Sequence, residues 1–260
     1  GAGALETVRK HGFDVASIGT IAGASGGAKW LVLSQLDRAI LRHVAPRLTG
    51  PVHLIGSSIG SWRFACYAQA DPVAAIERFE KAYLEQSYSD APDIHEITAK
   101  AREILDVILG DNGVTEILEN PVFRMHVMAV RSRHVMATGN RPLLSAALIS
   151  AALLNAVSRS TLGWFFERAL FHDERDMPPF FDVTGFPLQR IAMTDANLAD
   201  AVAATGAIPL VLSGVPDIKG ARPGMYRDGG IVDYHLDLPQ SADERITLFP
   251  HFYGRIVPGW

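Results

Sequence analysis

Ser58 lies in a glycine-flanked pentapeptide whose residue types and spacing suit nucleophilic catalysis. Gly56-Ser57-Ser58-Ile59-Gly60 has the form G-x-S-x-G and directly follows the apolar run Val52 to Ile55. Between a strand and a helix, the two glycines permit a sharp turn that projects the serine hydroxyl out of the sheet. We therefore predict that Ser58 is a nucleophile and that Gly56 and Gly60 form its elbow.

A second glycine-rich loop, Gly23 to Lys29, separates a predicted strand from a predicted helix. Backbone amides at such a junction favour a negative oxygen, either a phosphate or a developing oxyanion. The loop nearly fits the phosphate-binding pattern G-x-x-x-x-G-K-[ST], but Ala28 replaces the second glycine, and Trp30 cannot bind magnesium. An oxyanion hole needs only backbone amides, which Gly26 and Gly27 would supply. Taken alone, the loop is equally consistent with a simple chain reversal.

Asp228 is the candidate base for Ser58. It precedes Gly229 and Gly230 and lies beside an apolar pair, so the backbone would leave room for a second side chain to approach. In isolation an Asp-Gly pair indicates an ordinary turn. A carboxylate can deprotonate a serine only when hydrogen-bonded to it in a site that limits water. We therefore predict that Ser58 and Asp228 lie within hydrogen-bonding distance, or one water apart.

The segments around these motifs predict an α/β arrangement. Val15 to Ala22 is typical of a buried strand, Leu31 to Leu41 has helical spacing, and Val52 to Ile55 is a second strand before the elbow. A parallel sheet with a right-handed crossover is the expected solution for such a unit. The other predicted elements are helical segments over 4–12, 72–118 and 198–204, strands over 122–130, 134–137, 189–193 and 246–249, and an apolar turn over 209–212.

The stretch Leu143 to Val157 is unusually apolar. It is shorter than the roughly 18 residues that indicate a membrane span. A buried or lid-like helix is the favoured interpretation, and an interfacial helix is the alternative. Together with Trp164-Phe165-Phe166 it is a candidate for apolar lining or membrane contact. With no internal repeat or linker in view, residues 1–260 are predicted to form one domain, with either end consistent with truncation of a longer chain.

Composition narrows the function classes. The chain of 260 residues is 48% apolar and 20% charged, with a net charge of −4 and no basic run, which gives no general attraction to nucleic acid. Its single cysteine, Cys66, rules out an intramolecular disulfide and is expected to be buried. The histidines lack the spacing of zinc ligands, so no metal or cofactor is predicted. A reducing, cytoplasmic location is expected, and no signal peptide is visible.

Together, the motifs resemble the three signatures of the patatin-like phospholipases. Ser25-Gly26-Gly27-Ala28-Lys29, the Ser58 elbow and Asp228-Gly229-Gly230 occur in the order of that family's oxyanion loop with its basic residue, serine elbow and D-G-[GA] aspartate. The run Leu198 to Pro209 is similar to the helix and turn that precede the family's aspartate. Two residues depart from the pattern, since Ser25 and Trp30 stand where the family has glycine.

The resemblance implies a three-layer α/β/α fold with a mainly parallel central sheet. It also implies a lipid acyl hydrolase of phospholipase A, lysophospholipase or esterase type, in which Ser58 and Asp228 form a dyad without histidine and the amides of Gly26 and Gly27 hold the oxyanion. Lys29 matches the basic position, where it would orient the loop or meet a phosphate head group. The expected partner is a lipid ester, with peripheral membrane contact and no nucleic acid.

Two alternatives remain at this point. The chain order Ser58, Asp228, His251 is that of the standard α/β-hydrolase triad, and His235 is also close to Asp228 in sequence. That fold, however, usually has more strands before its nucleophile than Val15 to Ala22 alone. The second alternative is a non-catalytic module that binds an anion or a lipid, which the presence of all three motifs disfavours.

Overall fold

The computed structural model describes residues 2–238 and 245–259. The helices are α1 Ala2–His11, α2 Ser34–His43, α3 Ile59–Tyr67, α4 Pro72–Leu84, α5 Ile94–Leu109, α6 Gly113–Glu119, α7 Arg141–Val157, α8 Leu162–Phe165 and α9 Leu198–Thr205. The strands are β1 Ile18–Gly23, β2 Val52–Ser57, β3 Phe123–Ser132, β4 Phe166–His172, β5 Leu188–Ala192, β6 Val215–Pro216, β7 Met225–Arg227 and β8 Ile246–Leu248.

The strands form one mostly parallel sheet in the order β5-β4-β3-β2-β1-β8. Neighbouring strands from β8 to β3 are parallel, β4 is antiparallel to β3, and β5 is parallel to β4. Short antiparallel strands β6 and β7 join the sheet through β3. This is the α/β fold with a mainly parallel central sheet that the sequence predicted.

Both faces of the sheet are covered, because successive side chains of a strand point to opposite sides. In β2, Leu54 joins the main core, which contains buried residues of α2 to α6 and α9. Its neighbour Ile55 packs on the other face with Met128 and Phe180. A third cluster, around Val130 and Phe166, holds α7 and α8 against the end of β3. Near-continuous burial of β1 and β2 follows from this two-sided cover.

The predicted strand at 134–137 is wrong, because His134–Ala137 is a 3-10 helix. His134 has φ 50°, and the N–H of Met136 donates to the carbonyl of Arg133, so the chain turns immediately after β3. Strands β4 and β7 already occupy both sides of β3 at residues 130–132, which leaves no edge for another strand there.

Strand β4 was not predicted from the sequence. The run Trp164-Phe165-Phe166, which the sequence suggested as apolar lining or membrane contact, is divided between two environments. Trp164 is exposed, whereas Phe166 is buried as the first residue of β4.

Strand β1 begins at Ile18 rather than Val15, because the Asp14 carboxylate accepts the Ala16 N–H and closes a 3-10 turn over Val15–Ser17.

Helix α7, Arg141–Val157, covers the apolar stretch Leu143 to Val157 and begins two residues before it. No helix in the described ranges has both the length and the apolar character needed to cross a membrane.

Cys66 is fully buried on α3, as predicted, and burial raises the pKa of its thiol.

Candidate active site

Ser58 occupies the turn between β2 and α3 in a backbone conformation that non-glycine residues seldom adopt, with φ 53° and ψ −129°. The flanking glycines are required by close backbone contacts. A Cβ on Gly60 would lie 1.9 Å from the carbonyl oxygen of Gly23, and one on Gly56 would lie 2.5 Å from the N of Ser61. The elbow therefore packs directly on the end of β1, where the glycine loop begins.

Asp228 reaches Ser58 because two strands meet end to end beside β3. β2 pairs with β3 up to Met128, and β7 pairs antiparallel with β3 from Val130 onward. Since β4 covers the opposite side of β3 along this stretch, β2 and β7 share one side. The residues after β2 and β7 are Ser58 and Asp228, so the strand pairing places them face to face.

The Ser58 hydroxyl donates to Oδ2 of Asp228 over 2.6 Å. The predicted hydrogen-bonding distance is therefore observed. Both side chains are buried, with 5% of Ser58 and 2% of Asp228 exposed. Burial raises the pKa of Asp228 from 3.8 to about 7, and hydrogen bonds from the Ser58 hydroxyl and the Gly230 N–H partly oppose that rise.

Close packing also requires glycine at the two positions after Asp228. A Cβ on Gly229 would lie 2.0 Å from the carbonyl oxygen of Met128, and one on Gly230 would lie 2.5 Å from Oγ of Ser25. The Ser25 hydroxyl in turn donates to Oγ of Ser57 over 3.0 Å. Ser25, one of the two departures from the family pattern, thus ties the glycine loop to the elbow.

The glycine loop opens a 3-10 helix, Gly27–Leu33, that leads into α2. Gly27 has φ 54° and lines the same cavity as Ser58. Neither the Gly26 nor the Gly27 amide has a protein acceptor within the ranges that the structure describes. Trp30, the second departure, is buried and stacks on Phe79 with ring centroids 4.1 Å apart, so its role is in the core.

Lys29 lies on the outer side of this loop and is exposed. Its Nζ is 5.6 Å from the ring centroid of Phe252 and 5.3 Å from that of Tyr253. It lines a different cavity from Ser58, together with His235. The structure therefore places Lys29 beside the glycine loop but turned toward the C-terminal segment.

Sequence reasoning missed Thr205, the last residue of α9. Its Oγ1 accepts the Ser58 N–H over 2.8 Å and donates to the carbonyl of Met128, and the side chain is fully buried. Thr205 falls in the run that resembles the family's helix and turn, but 147 residues separate it from Ser58. No local pattern could have shown this contact.

A cavity of about 140 Å³ has Ser58 in its wall. Its lining is mostly apolar or aromatic and comes from α3, α4, α5, the 3-10 helix and the segments after β2, α4 and α9: Gly27, Ser58, Ile59, Trp62, Tyr83, Gln86, Tyr88, Ile97, Ala101, Ile104, Gly206, Ile208 and Leu212. Such a cavity can hold an apolar chain with one end at the serine hydroxyl.

The two candidate histidines, His235 and His251, lie together outside the Ser58 cavity. The ring centroids of His235 and His251 are 5.5 Å apart, and Nδ1 of His235 accepts the N–H of Val257. Among the described residues, no histidine hydrogen-bonds to Ser58 or Asp228. The same residues contain no group of three or more histidine, cysteine or acidic side chains able to hold a metal ion.

The fold agrees with the comparison to known families. The model of the family described as patatin-like phospholipase matches residues 22–235, which is most of the chain. The chain therefore belongs to the patatin-like phospholipase family, a family of lipid acyl hydrolases.

One solved structure to which the chain is similar is the crystal structure of VipD from Legionella pneumophila, with 13% identity and a TM-score of 0.40. The similarity covers 90% of this chain and 50% of that chain, so the chain spans half the length of VipD. No curated protein is significantly similar in sequence.

Proposed function

We propose that the protein hydrolyses carboxylic esters of lipids through a Ser58 acyl-enzyme, with Asp228 as the general base. The observation that carries this proposal is the 2.6 Å hydrogen bond from the Ser58 hydroxyl to Asp228 in the wall of an apolar cavity. Membership of the family supports the acyl-hydrolase class. The buried pair supports the serine mechanism.

In the first step, Asp228 accepts the hydroxyl proton as Ser58 Oγ attacks the ester carbonyl carbon. The tetrahedral intermediate collapses, the bond from carbonyl carbon to alkoxy oxygen breaks, and the leaving alcohol takes the proton from Asp228. In the second step, Asp228 accepts a proton from water, which attacks the acyl-enzyme. Collapse releases the carboxylic acid and returns the proton to Ser58.

The oxyanion formed in each step needs fixed donors. The Gly26 and Gly27 amides are the candidates, because they lie at the start of the 3-10 helix and Gly27 shares the Ser58 cavity. The Ser58 N–H is engaged by Thr205 and is not free for this purpose. Lys29 is proposed to hold the loop against the C-terminal segment through its contacts with the Phe252 and Tyr253 rings.

A dyad is preferred to the Ser58, Asp228, His251 triad because Ser58 donates directly to the aspartate. In a triad, an imidazole stands between the serine and the acid. The hydrogen bond from Val257 to His235 gives that histidine a different, structural partner.

Two measurements test this function. A fluorophosphonate probe is expected to label the wild type and not Ser58→Ala, and turnover of a short acyl ester is expected to fall by about three orders of magnitude in Ser58→Ala and in Asp228→Asn. His235→Ala and His251→Ala serve as matched controls and are expected to retain turnover. Loss of turnover in His251→Ala as well as in Asp228→Asn would indicate the triad instead. Loss in either histidine variant with Asp228→Asn active would exclude Asp228 as the base. A folded wild type that is neither labelled nor active would favour the binding module.

The preferred substrate is best found by comparing wild type and Ser58→Ala on phospholipids, lysophospholipids, galactolipids and short esters. Because the cavity lining is mainly apolar, release of fatty acid from at least one lipid class is the expected result.

A further inference from the structure

Helix α7 has a buried side and an exposed side, and both are apolar. Leu144, Ala147 and Ala151 pack into the core, which leaves a row of large apolar residues facing outward. The exposed fractions in that row are 49% for Leu143, 62% for Ile149, 67% for Leu153 and 85% for Val157, and Trp164 adds 63% just beyond the helix. We call these five residues the α7 face. A face of this kind on a protein surface marks an interaction site.

The segment that carries the α7 face has charges of one sign. Residues 133–166 contain three arginines and one histidine but no aspartate or glutamate, although the whole chain has a net charge of −4. Arg141 is the first residue of α7 and is exposed, while Arg159 follows its end and lies 3.9 Å from Asp233. The apolar face is thus flanked by basic residues on a protein that is otherwise acidic.

The start of α7 contacts a turn that also lines the Ser58 cavity. Leu210 packs against the cluster that holds α7, and its carbonyl lies 3.5 Å from a guanidinium nitrogen of Arg141. The same turn contributes Ile208 and Leu212 to the cavity lining, and Val211 between them is 43% exposed. The turn over residues 208–212 therefore connects α7 to the cavity, with the apolar Val211 exposed on it.

We propose that the α7 face docks on the surface of an anionic lipid bilayer. Apolar side chains and tryptophan enter the boundary between head groups and acyl chains, while flanking arginines remain at the level of the anionic head groups. The basic segment would be attracted to such a surface, which a neutral bilayer lacks. The consequence for catalysis, that the cavity opens toward its lipid substrate, rests on the proposed function; the docking itself does not.

Flotation with lipid vesicles tests the docking in the Ser58→Ala background, where no hydrolysis alters the vesicles. Vesicles of mixed phosphatidylcholine and phosphatidylglycerol are compared with phosphatidylcholine alone. Leu153→Glu is expected to lower the fraction bound to the anionic vesicles by about tenfold. Val157→Ser introduces no charge at a more exposed site. It is expected to weaken binding to a smaller extent, because it only removes apolar surface. Leu36→Glu, at an exposed leucine on α2, is the matched control and is expected to bind like the parent.

The expected result is stronger binding to anionic than to neutral vesicles, weakened by salt and by both α7 substitutions. In the active background, Leu153→Glu is expected to keep turnover of a soluble short ester, which separates docking from catalysis. Equal binding by the Leu153→Glu and Leu36→Glu variants would overturn the proposal, as would no binding at all. Light scattering that shows a dimer dissociated by Leu153→Glu would assign the face to a second copy instead.

Discussion

At the scale of single residues, the distinctive feature of the site is a carboxyl group held between two opposing influences. Burial of Asp228 favours its protonated form, whereas the Ser58 hydroxyl and Gly230 N–H favour the carboxylate. The result is a pKa of about 7, close to the value that suits a general base near neutral pH.

The activity should therefore follow the ionisation of Asp228. We expect kcat/KM for a soluble ester to rise with pH through an apparent pKa of about 7 and to level off above it, because only the carboxylate can accept the serine proton. A pH-rate profile on the wild type measures this directly. A profile that is flat between pH 5 and pH 8, at about constant enzyme stability, would exclude Asp228 as the titrating base.

The same shift has a consequence for stability. Since the pKa of Asp228 is higher in the folded state than its ordinary 3.8, its contribution to stability is fully present below that value and is lost as the pH rises through about 7. The side chain at position 228 of the Asp228→Asn variant cannot ionise. The Tm of this variant minus the Tm of the wild type should therefore increase as the pH rises from about 4 to about 8. Thermal melts across this range test the expectation, and a constant difference would contradict it.

Thr205 is a positioning residue for the elbow. Thr205→Val leaves the Ser58 N–H and the Met128 carbonyl without their partner, at a cost of about 1–3 kcal/mol for each buried group. We expect kcat to fall by about tenfold to a hundredfold with little change in KM, because the substrate cavity is unaffected while Ser58 is displaced.

Thr205→Ser keeps the hydroxyl and should restore most of the activity. If Thr205→Ser and Thr205→Val were equally impaired, the methyl packing of Thr205, and not its hydrogen bonds, would account for the loss.

At the scale of elements, the site depends on how closely β1 approaches α3. Gly60→Ala places a Cβ on the carbonyl oxygen of Gly23, so the strand and helix must separate, and we expect a loss of about 3 kcal/mol or more in the free energy of unfolding. A Cβ on Gly27 would contact nothing within 4 Å. Gly27→Ala should therefore lower the free energy of unfolding only through the positive φ of this residue, by about 1–2 kcal/mol. Urea unfolding of the two variants measures the difference, and equal losses would contradict this packing.

At the scale of the whole molecule, a buried ion pair joins α2 to α3. The Nε of Arg63 donates to Oδ2 of Asp37 over 2.8 Å, and the Tyr67 hydroxyl donates to Oδ1 over 2.8 Å. All three side chains are at most 1% exposed. The pair fixes the helix that follows the elbow to the helix that follows the glycine loop, so it links these two loops through the core.

Removing one partner leaves the other charge buried. We expect Asp37→Ala to lower the free energy of unfolding by about 3–5 kcal/mol. Glu77→Ala, which removes an exposed partner of Arg38, should change it by no more than about 1 kcal/mol. Denaturant melts of both variants provide the measurement. A small effect of Asp37→Ala would show that Arg63 finds another partner or reaches water.

The sequence predicted the local turns around Ser58 and Asp228, because the information for each turn lies in adjacent residues. The elbow around Ser58 needs two glycines within five residues, and the Asp228 turn needs the two that follow it. The strands β1, β2, β3, β5 and β8 and the helix α9 were also recognisable from their periodicity, to within a few residues at their ends. The same argument failed at 134–137, where four apolar-rich residues are too few to distinguish a strand from a tight turn.

Only the tertiary structure decided how these parts meet. The contact of Ser58 with Asp228 arises because β2 and β7 end on the same side of β3, and the contact with Thr205 arises because α9 ends at that junction. The position of α7, with one apolar side buried and the other exposed, is likewise set by packing on a neighbouring cluster. Turn geometry is a local property of the chain, whereas strand pairing and burial depend on residues far apart in sequence, which no single stretch can specify.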